Sequence, residues 1–350
     1  MVELEVDRLV RGCAIDFRSH FGALAKLRGC MIRSLFFAFL CVVAASPAFA
    51  QSQTGPAPQV SAGTIVDLGV VQSRYADPRR VVVWLPSGYD SQGPKYAVLY
   101  MHDGQNLFDP KTAGYGMEWQ IDETLDRLIR EKKVRPTIVV GIWSTPKRLQ
   151  EYVPSKAFNG LPLEFRQKVR ALYGGDPLSD GYLKFLVREL RPMIDRRFNV
   201  KTDAADTAIM GSSMGSLISL YAIDEYPRVF GAAGMMSTHW PLFMTPDGKS
   251  VNDKEYEVVS SAFERYLAPA LPDPHTHRLY FDHGSETLDA IYARYQDRVD
   301  AVVARRGYRK WLDWMSLSFP GEKHNEISWA SRVAVPLQFL LAPIPSRRPN

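Results

Sequence analysis

Ile209-Met210-Gly211-Ser212-Ser213-Met214-Gly215-Ser216 settles how the rest of this chain is read. Upstream, Thr207 to Met210 is an apolar run of strand length. Downstream, Leu217-Ile218-Ser219-Leu220-Tyr221-Ala222 is apolar enough to be a buried helix. Strand, G-x-S-x-G, helix is the context of a nucleophile elbow. A serine hydroxyl is a weak nucleophile and must stand where a base can reach it. A sharp strand-to-helix turn exposes it, and glycines at 211 and 215 let the neighbouring backbone close around that turn. The helix starting there directs free N–H groups toward an oxyanion. The register selects Ser213 rather than Ser212 or Ser216.

Working outward, short apolar runs alternate with helical periodicity. Thr64–Val71 and Arg80–Leu85 read as strands joined by the turn at Ala76-Asp77-Pro78. Tyr96–Met101, Thr137–Trp143, Phe230–Met236, Arg278–Phe281 and Trp314–Phe319 read as further strands. Met117–Glu131, Gly181–Phe198, Asp289–Arg306 and Ile327–Leu341 carry helical spacing. Continuous apolar strands alternating with helices predict an α/β protein, a mainly parallel sheet with helices on both faces. Residues 144–180 and 238–275, rich in Pro, Gly and polar residues, read as long functional loops.

The expected partners follow the elbow in the order nucleophile, acid, histidine, which is that of an α/β-hydrolase. Of the histidines after Ser213, only His324 falls in a polar loop between the last strand and the last helix. His275 and His277 read as surface residues, and His283 as a packing or capping residue at a strand end. The acid should follow the Arg278–Phe281 strand, in Asp282-His283-Gly284-Ser285-Glu286-Thr287-Leu288-Asp289. Asp282 lies in or beside the strand, and Glu286 lies in the turn with the longer reach. Asp289 opens a helix with Thr287 as its N-cap, where side chains tilt back toward the strand ends. Asp289 is preferred, with Glu286 the alternative. The loop His102-Asp103-Gly104-Gln105 leaves the strand whose following turn donates a second oxyanion N–H. The oxyanion hole is therefore expected from the N–H groups of Met214 and Gln105. His102, Asp103 and Asp109 lack metal-ligand spacing, so no metal site is expected there.

From about residue 64 to 342 the chain resembles the bacterial putative-esterase family of α/β-hydrolases. That family includes siderophore (enterochelin-type) esterases, feruloyl and acetyl-xylan esterases, esterase D and the antigen-85 mycolyltransferases. The resemblance rests on the run from His102 to Asp109, on Trp119 with Ile121-Asp122-Glu123, and on Arg148 with Glu151-Tyr152. It rests also on the elbow, on Ser237-Thr238-His239-Trp240, and on Phe319-Pro320-Gly321-Glu322-Lys323-His324-Asn325-Glu326 followed by Trp329. It implies the α/β-hydrolase fold, Ser213 as nucleophile and His324 as base. The acid it implies lies a few residues beyond Gly284, a window that holds both Glu286 and Asp289.

The chemistry expected is hydrolysis of a carboxylic ester through an acyl-enzyme, with a small-molecule substrate and no metal or organic cofactor. Trp119, Trp143, Tyr152, His239 and Trp240 are candidates for lining an acyl or aromatic pocket. An acyltransferase on the same fold, or an inactive hydrolase-fold binding protein, are the competing readings. The motifs name neither the acyl group nor the alcohol, and leave the oligomeric state open.

Residues 1–50 read as a leader. Met31-Ile32-Arg33, the apolar Leu35–Ala45 and Ala48-Phe49-Ala50 before Gln51 have the form of a secretory signal peptide over 31–50. Export to the periplasm or medium is therefore expected, with no stable membrane insertion after cleavage, because the apolar run is too short for a span. Residues 51–62 read as a linker, 63–342 as one catalytic domain and 343–350 as a tail. All three cysteines, Cys13, Cys30 and Cys41, lie in the leader, so no disulfide is expected downstream. The formal net charge of +5 includes +2 from the leader. The remainder is too small and scattered to argue for nucleic acid.

Overall fold

A computed structural model describes residue 53, residues 55–242 and residues 252–343. The leader with its cysteines and signal segment, and nearly all of the expected tail, lie outside the described residues. Eight strands form one sheet: β1 (Thr64–Val71), β2 (Arg79–Leu85), β3 (Ala97–His102), β4 (Thr137–Ile142), β5 (Thr207–Ser212), β6 (Ala232–Met236), β7 (Arg278–His283) and β8 (Trp314–Ser318). The spatial order is β1-β2-β4-β3-β5-β6-β7-β8. β2 runs antiparallel to both of its neighbours, and β3 to β8 are parallel. This is the α/β architecture expected from the sequence, an α/β-hydrolase fold.

The reason lies in the strands' composition. β3 and β4 are buried along their whole length. On β3, Val98 and Tyr100 join one apolar cluster and Leu99 and Met101 the other, as the two-residue side-chain period requires. A sheet buried on both faces needs helices on both. The helices between Arg148 and Arg197, with Met214–Glu225, Asp253–Ala270 and Ala293–Arg306, cover the first face; Ile121–Arg130, Glu326–Arg332 and Ala334–Leu340 cover the second. β3 is flanked by β4 on one side and β5 on the other. The strand order therefore reverses at β3, and a crevice opens at the carboxyl ends of β3 and β5. The elbow and the His102–Gln105 loop both leave the sheet there.

Three expectations are corrected. Residues 144–180 are not a loop: they hold the helices Arg148–Tyr152, Ser155–Asn159, Leu163–Tyr173 and Ser179–Phe185. Pro154 and Pro162 stand at the starts of two of them, where a missing N–H costs nothing. Two of the prolines that looked like loop composition are helix starts. Within 238–275, Asp253–Ala270 is a helix whose N-cap Asn252 accepts the Glu255 N–H at 3.0 Å. His275 is exposed as expected, whereas His277 is buried, its ring nitrogens against the carbonyls of Asp273 and Pro227. No helix among the described residues is long and apolar enough to cross a membrane.

The elbow's close packing is testable. A Cβ on Gly211 would stand 2.8 Å from the carbonyl carbon and oxygen of Gly215, both backbone atoms. Gly211→Ala should therefore cost about 1–3 kcal/mol in urea unfolding, as overpacking does. Wild-type stability in that variant would mean that the turn is not tightly closed.

Candidate active site

Ser213 sits between β5 and the helix Met214–Glu225 with φ 56° and ψ −121°, a backbone conformation that non-glycine residues rarely adopt and that costs about 1–3 kcal/mol. The surrounding chain holds it there. The Ser213 N–H donates to the Met236 carbonyl at 3.0 Å, and its own carbonyl accepts from Ser216 and His239 at 3.1 and 3.2 Å. Ser216 Oγ donates back across the turn to Met236 and Gly211 carbonyls at 2.6 and 3.0 Å. Ser216 is fully buried and Ser212 nearly so, while Ser213 is partly exposed. Met214 is the first residue of the helix, so its N–H is one of the orphan donors of the helix start.

At the ends of β7 and β8, His324 and Asp289 meet. His324 Nδ1 lies 2.6 Å from Asp289 Oδ1. The other carboxylate oxygen, Oδ2, accepts the Gly284 N–H and the Ser237 hydroxyl, each at 2.6 Å. The direction of the Ser237 bond is forced. Its Oγ already accepts from Trp329 Nε1 at 3.0 Å and Arg332 Nη2 at 2.8 Å, groups that can only donate, so its single proton goes to Asp289. Burial opposes the Asp289 charge, but the His324, Ser237 and Gly284 donors outweigh it and hold the carboxyl below the usual carboxylate range. Trp329 and Tyr292 present edge-to-face contacts to the His324 ring at 5.1 and 5.7 Å. The His324 N–H donates to Thr287 Oγ1 at 2.9 Å.

The alternative acids are placed elsewhere. Glu286 is exposed, and its N–H donates to the Glu322 carbonyl. The turn that carries it bonds to the His324 loop through backbone atoms, leaving its side chain on the surface. Asp282 is buried in β7, where Arg332 at 3.1 Å and Tyr280 at 2.9 Å engage its two carboxylate oxygens. Thr287 is not an N-cap: it has φ 56° and opens the 3-10 turn Thr287–Ile291 ahead of the helix Ala293–Arg306. Its hydroxyl anchors the histidine loop instead.

Two other histidines stand close by. His102 is buried under the elbow, its Nδ1 2.8 Å from Tyr182 Oη. His239 Nδ1 lies 2.8 Å from Tyr292 Oη. Burial pulls each down to about 3; at His239 the positive fields of His324 and Arg148 add to it. Both therefore stay neutral at physiological pH and are feeble bases. His324 is the one with a carboxylate partner.

On the opposite lip, Asp103 takes a left-handed turn (φ 55°) ahead of the short turn Gly104–Asn106. It receives a fork of two 2.7 Å hydrogen bonds from Arg148. A Cβ at Gly104 would lie 2.5 Å from the Gly141 carbonyl carbon, so glycine lets this turn lie against β4. The Gln105 side chain bonds Ser144 from both of its ends, which fixes the backbone of the loop. Asn106 Nδ2 donates to Glu326 at 3.2 Å, tying this loop to the histidine loop.

The five aromatic candidates are all buried and do not form one wall. Trp119 packs on Trp329 beneath His324, Tyr152 packs at a tilt against His102, and His239 joins Tyr292. Trp143 lies against the Arg80 guanidinium, and Trp240 packs on Phe263 with its N–H on Gln296. Trp240 belongs to the apolar core, and Trp143 lies at the end of β4 beside Ser144. Sequence reading assigned no role to Ser237 and none to Arg332. These residues lie 95 positions apart, and no local spacing signals their meeting. Among the described residues, one acidic group, Glu118, Asp122 and Glu123, has ligand atoms within 4.8 Å of one another. It is built from residues other than the histidine and aspartates weighed above for a metal.

A family model described as "Putative esterase" matches residues 73–290, well over half of the chain. The uncharacterized protein YbbA of Bacillus subtilis is 27% identical over 173 residues, covering 49% of this chain and 62% of that protein. An endo-1,4-beta-xylanase/feruloyl esterase of Xylanibacter ruminicola is 27% identical over 161 residues, 44% of this chain and 19% of that protein. The chain thus spans less than two thirds of the length of either relative. An IroE-like serine hydrolase from Shewanella oneidensis superposes with a TM-score of 0.57 at 20% identity, covering 79% of each chain; this likeness concerns the fold.

Ser237→Ala would leave Trp329 Nε1, Arg332 Nη2 and Asp289 Oδ2 each short of one partner in a buried setting. It should cost about 1–3 kcal/mol of stability in chemical denaturation. A cost below a few tenths would mean that the three groups do not depend on that hydroxyl.

Proposed function

The chain belongs to the putative esterase family, and from that premise we propose that it hydrolyses carboxylic esters with Ser213 as nucleophile, His324 as base and Asp289 as the orienting acid. The observation that carries this reading is the 2.6 Å contact between His324 Nδ1 and buried Asp289, at the same carboxyl edge of the parallel sheet as the elbow that holds Ser213 in a strained turn. With Nδ1 bonded to the carboxylate, Nε2 is the nitrogen left to take the Ser213 proton. Ser213 Oγ then attacks the ester carbonyl. The N–H groups of Met214 and Gln105 receive the oxyanion, His324 returns the proton to the leaving alcohol, and water releases the acyl group by the same steps. Asp289 stays ionised throughout and steadies the imidazolium. Because its carboxyl is depressed, its contribution to stability is complete above the ordinary carboxylate pKa of about 3.9. That contribution is lost only as pH falls through the lower folded value. Export, expected from the signal-like leader, places this activity in the periplasm or medium.

Kinetics of the purified protein on an activated p-nitrophenyl ester test the assignment. Ser213→Ala and His324→Ala should each abolish turnover while the protein stays folded, and the double variant should lose no more, because the two act as a unit. Asp289→Asn should lower kcat by about 10⁴-fold, whereas Glu286→Gln and Ser212→Ala should stay near the wild-type rate. Near-normal turnover by Ser213→Ala would end the proposal.

A further inference from the structure

At the amino-terminal end of the parallel strands, across the sheet from Ser213, lies a cavity of about 250 Å³. Its walls come from the segments that enter the strands: Arg135 before β4, Ala205 before β5, Gly231 before β6, Arg278 at the start of β7 and Asp313 before β8. Three arginines, Arg135, Arg278 and Arg309, line it against one carboxylate, Asp313. Arg309 uses that carboxylate, its Nε 2.8 Å from Asp313 Oδ2. Arg135 is buried and committed: Nε faces Asp206 at 3.2 Å, and its two terminal nitrogens donate to the Ala342 and Ala205 carbonyls.

Arg278 is different. It donates once, from Nη1 to the Phe339 carbonyl at 3.2 Å, and makes no ion pair among the described residues. A guanidinium has five N–H groups in a planar fork that suits oxyanions. Burial depresses Arg278 and Arg135 below the ordinary arginine value; the Asp313 charge offsets part of that fall at Arg278, and the Asp206 charge, more than the opposing Arg278 charge, offsets part of it at Arg135. Around the cavity three arginines meet two carboxylates, Asp313 paired with Arg309 and Asp206 paired with Arg135, so the Arg278 charge is in excess, and a bound anion relieves it. The volume falls below the roughly 300–1,000 Å³ of sites for drug-sized ligands. A phosphoryl group, alone or on a small carrier, fits that space and that charge better than a bulky acid.

We propose that this cavity is an anion site that takes a phosphoryl group, as inorganic phosphate or a small phosphate monoester, with the Arg278 fork as its main contact and Arg309 at its rim. The site is separate from the proposed ester chemistry and does not depend on it. Titrating inorganic phosphate at constant ionic strength, followed by calorimetry and thermal unfolding, should show one saturable site that raises the melting temperature with occupancy. Arg278→Gln should weaken phosphate binding at least tenfold while p-nitrophenyl ester turnover is unchanged. Arg309→Gln, at a largely solvent-exposed side chain, should weaken it severalfold, and it answers the question even if the Arg278 variant does not fold. Phenyl phosphate run in parallel identifies the source. Tighter binding than phosphate supports a monoester ligand, and weaker binding supports the free ion. Absence of saturable binding, phosphate binding unaltered in the folded variants, or acetate binding as tight as phosphate would overturn the proposal.

Discussion

A carboxylate removed from water is costly unless every lone pair finds a donor, and Asp289 is the place where this fold meets that constraint. Its donors come from distant stretches of chain: His324 from the loop after β8, Gly284 from the end of β7, and Ser237 from the end of β6. Behind Ser237 stand Trp329 and Arg332, both on the helix Glu326–Arg332, which follows His324 directly. His324 and the supports of its carboxylate partner, Asp289, are thus delivered by one segment. Arg332 also holds Asp282, so β7 is bound to the same cluster. Satisfying one buried charge fixes the relative positions of β6, β7 and the chain after β8.

The elbow is stabilised in a complementary way. Its strained backbone is held by hydrogen bonds to Met236 and His239, residues of the next strand and the segment that follows it. That segment also contains Ser237, itself in a left-handed conformation at φ 47°. The stretch from Met236 to His239 therefore touches Ser213 on one side and the carboxylate on the other. Strain in two turns and one buried charge are offset by the same few residues, which gives the site its geometric coupling without any disulfide among the described residues.

Much of the architecture was legible in the sequence because its signals are local. Apolar runs with flanking turns marked all eight strands, and G-x-S-x-G between a strand and a helix marked the elbow. The helices of residues 144–180 were missed because their prolines and glycines punctuate short helices, a use that composition does not distinguish from loop. The choice between Asp289 and Glu286 was narrowed but left open, since both lie within reach of His324 along the chain. Tertiary placement separates them, because the short turn at Thr287 points one inward and leaves the other exposed. Ser237 and Arg332 are beyond local reading altogether. Each is an unremarkable residue on its own element, and their roles arise from a contact across 95 residues.

The central claim is that Ser213 is the activated nucleophile, and covalent labelling tests it most directly. The wild-type protein treated with a fluorophosphonate should gain one adduct in the intact mass, and peptide mapping should place it on Ser213 in the Gly211–Ser216 elbow. Absence of labelling in the folded protein, or an adduct on Ser212, Ser216 or any other side chain, would contradict the account.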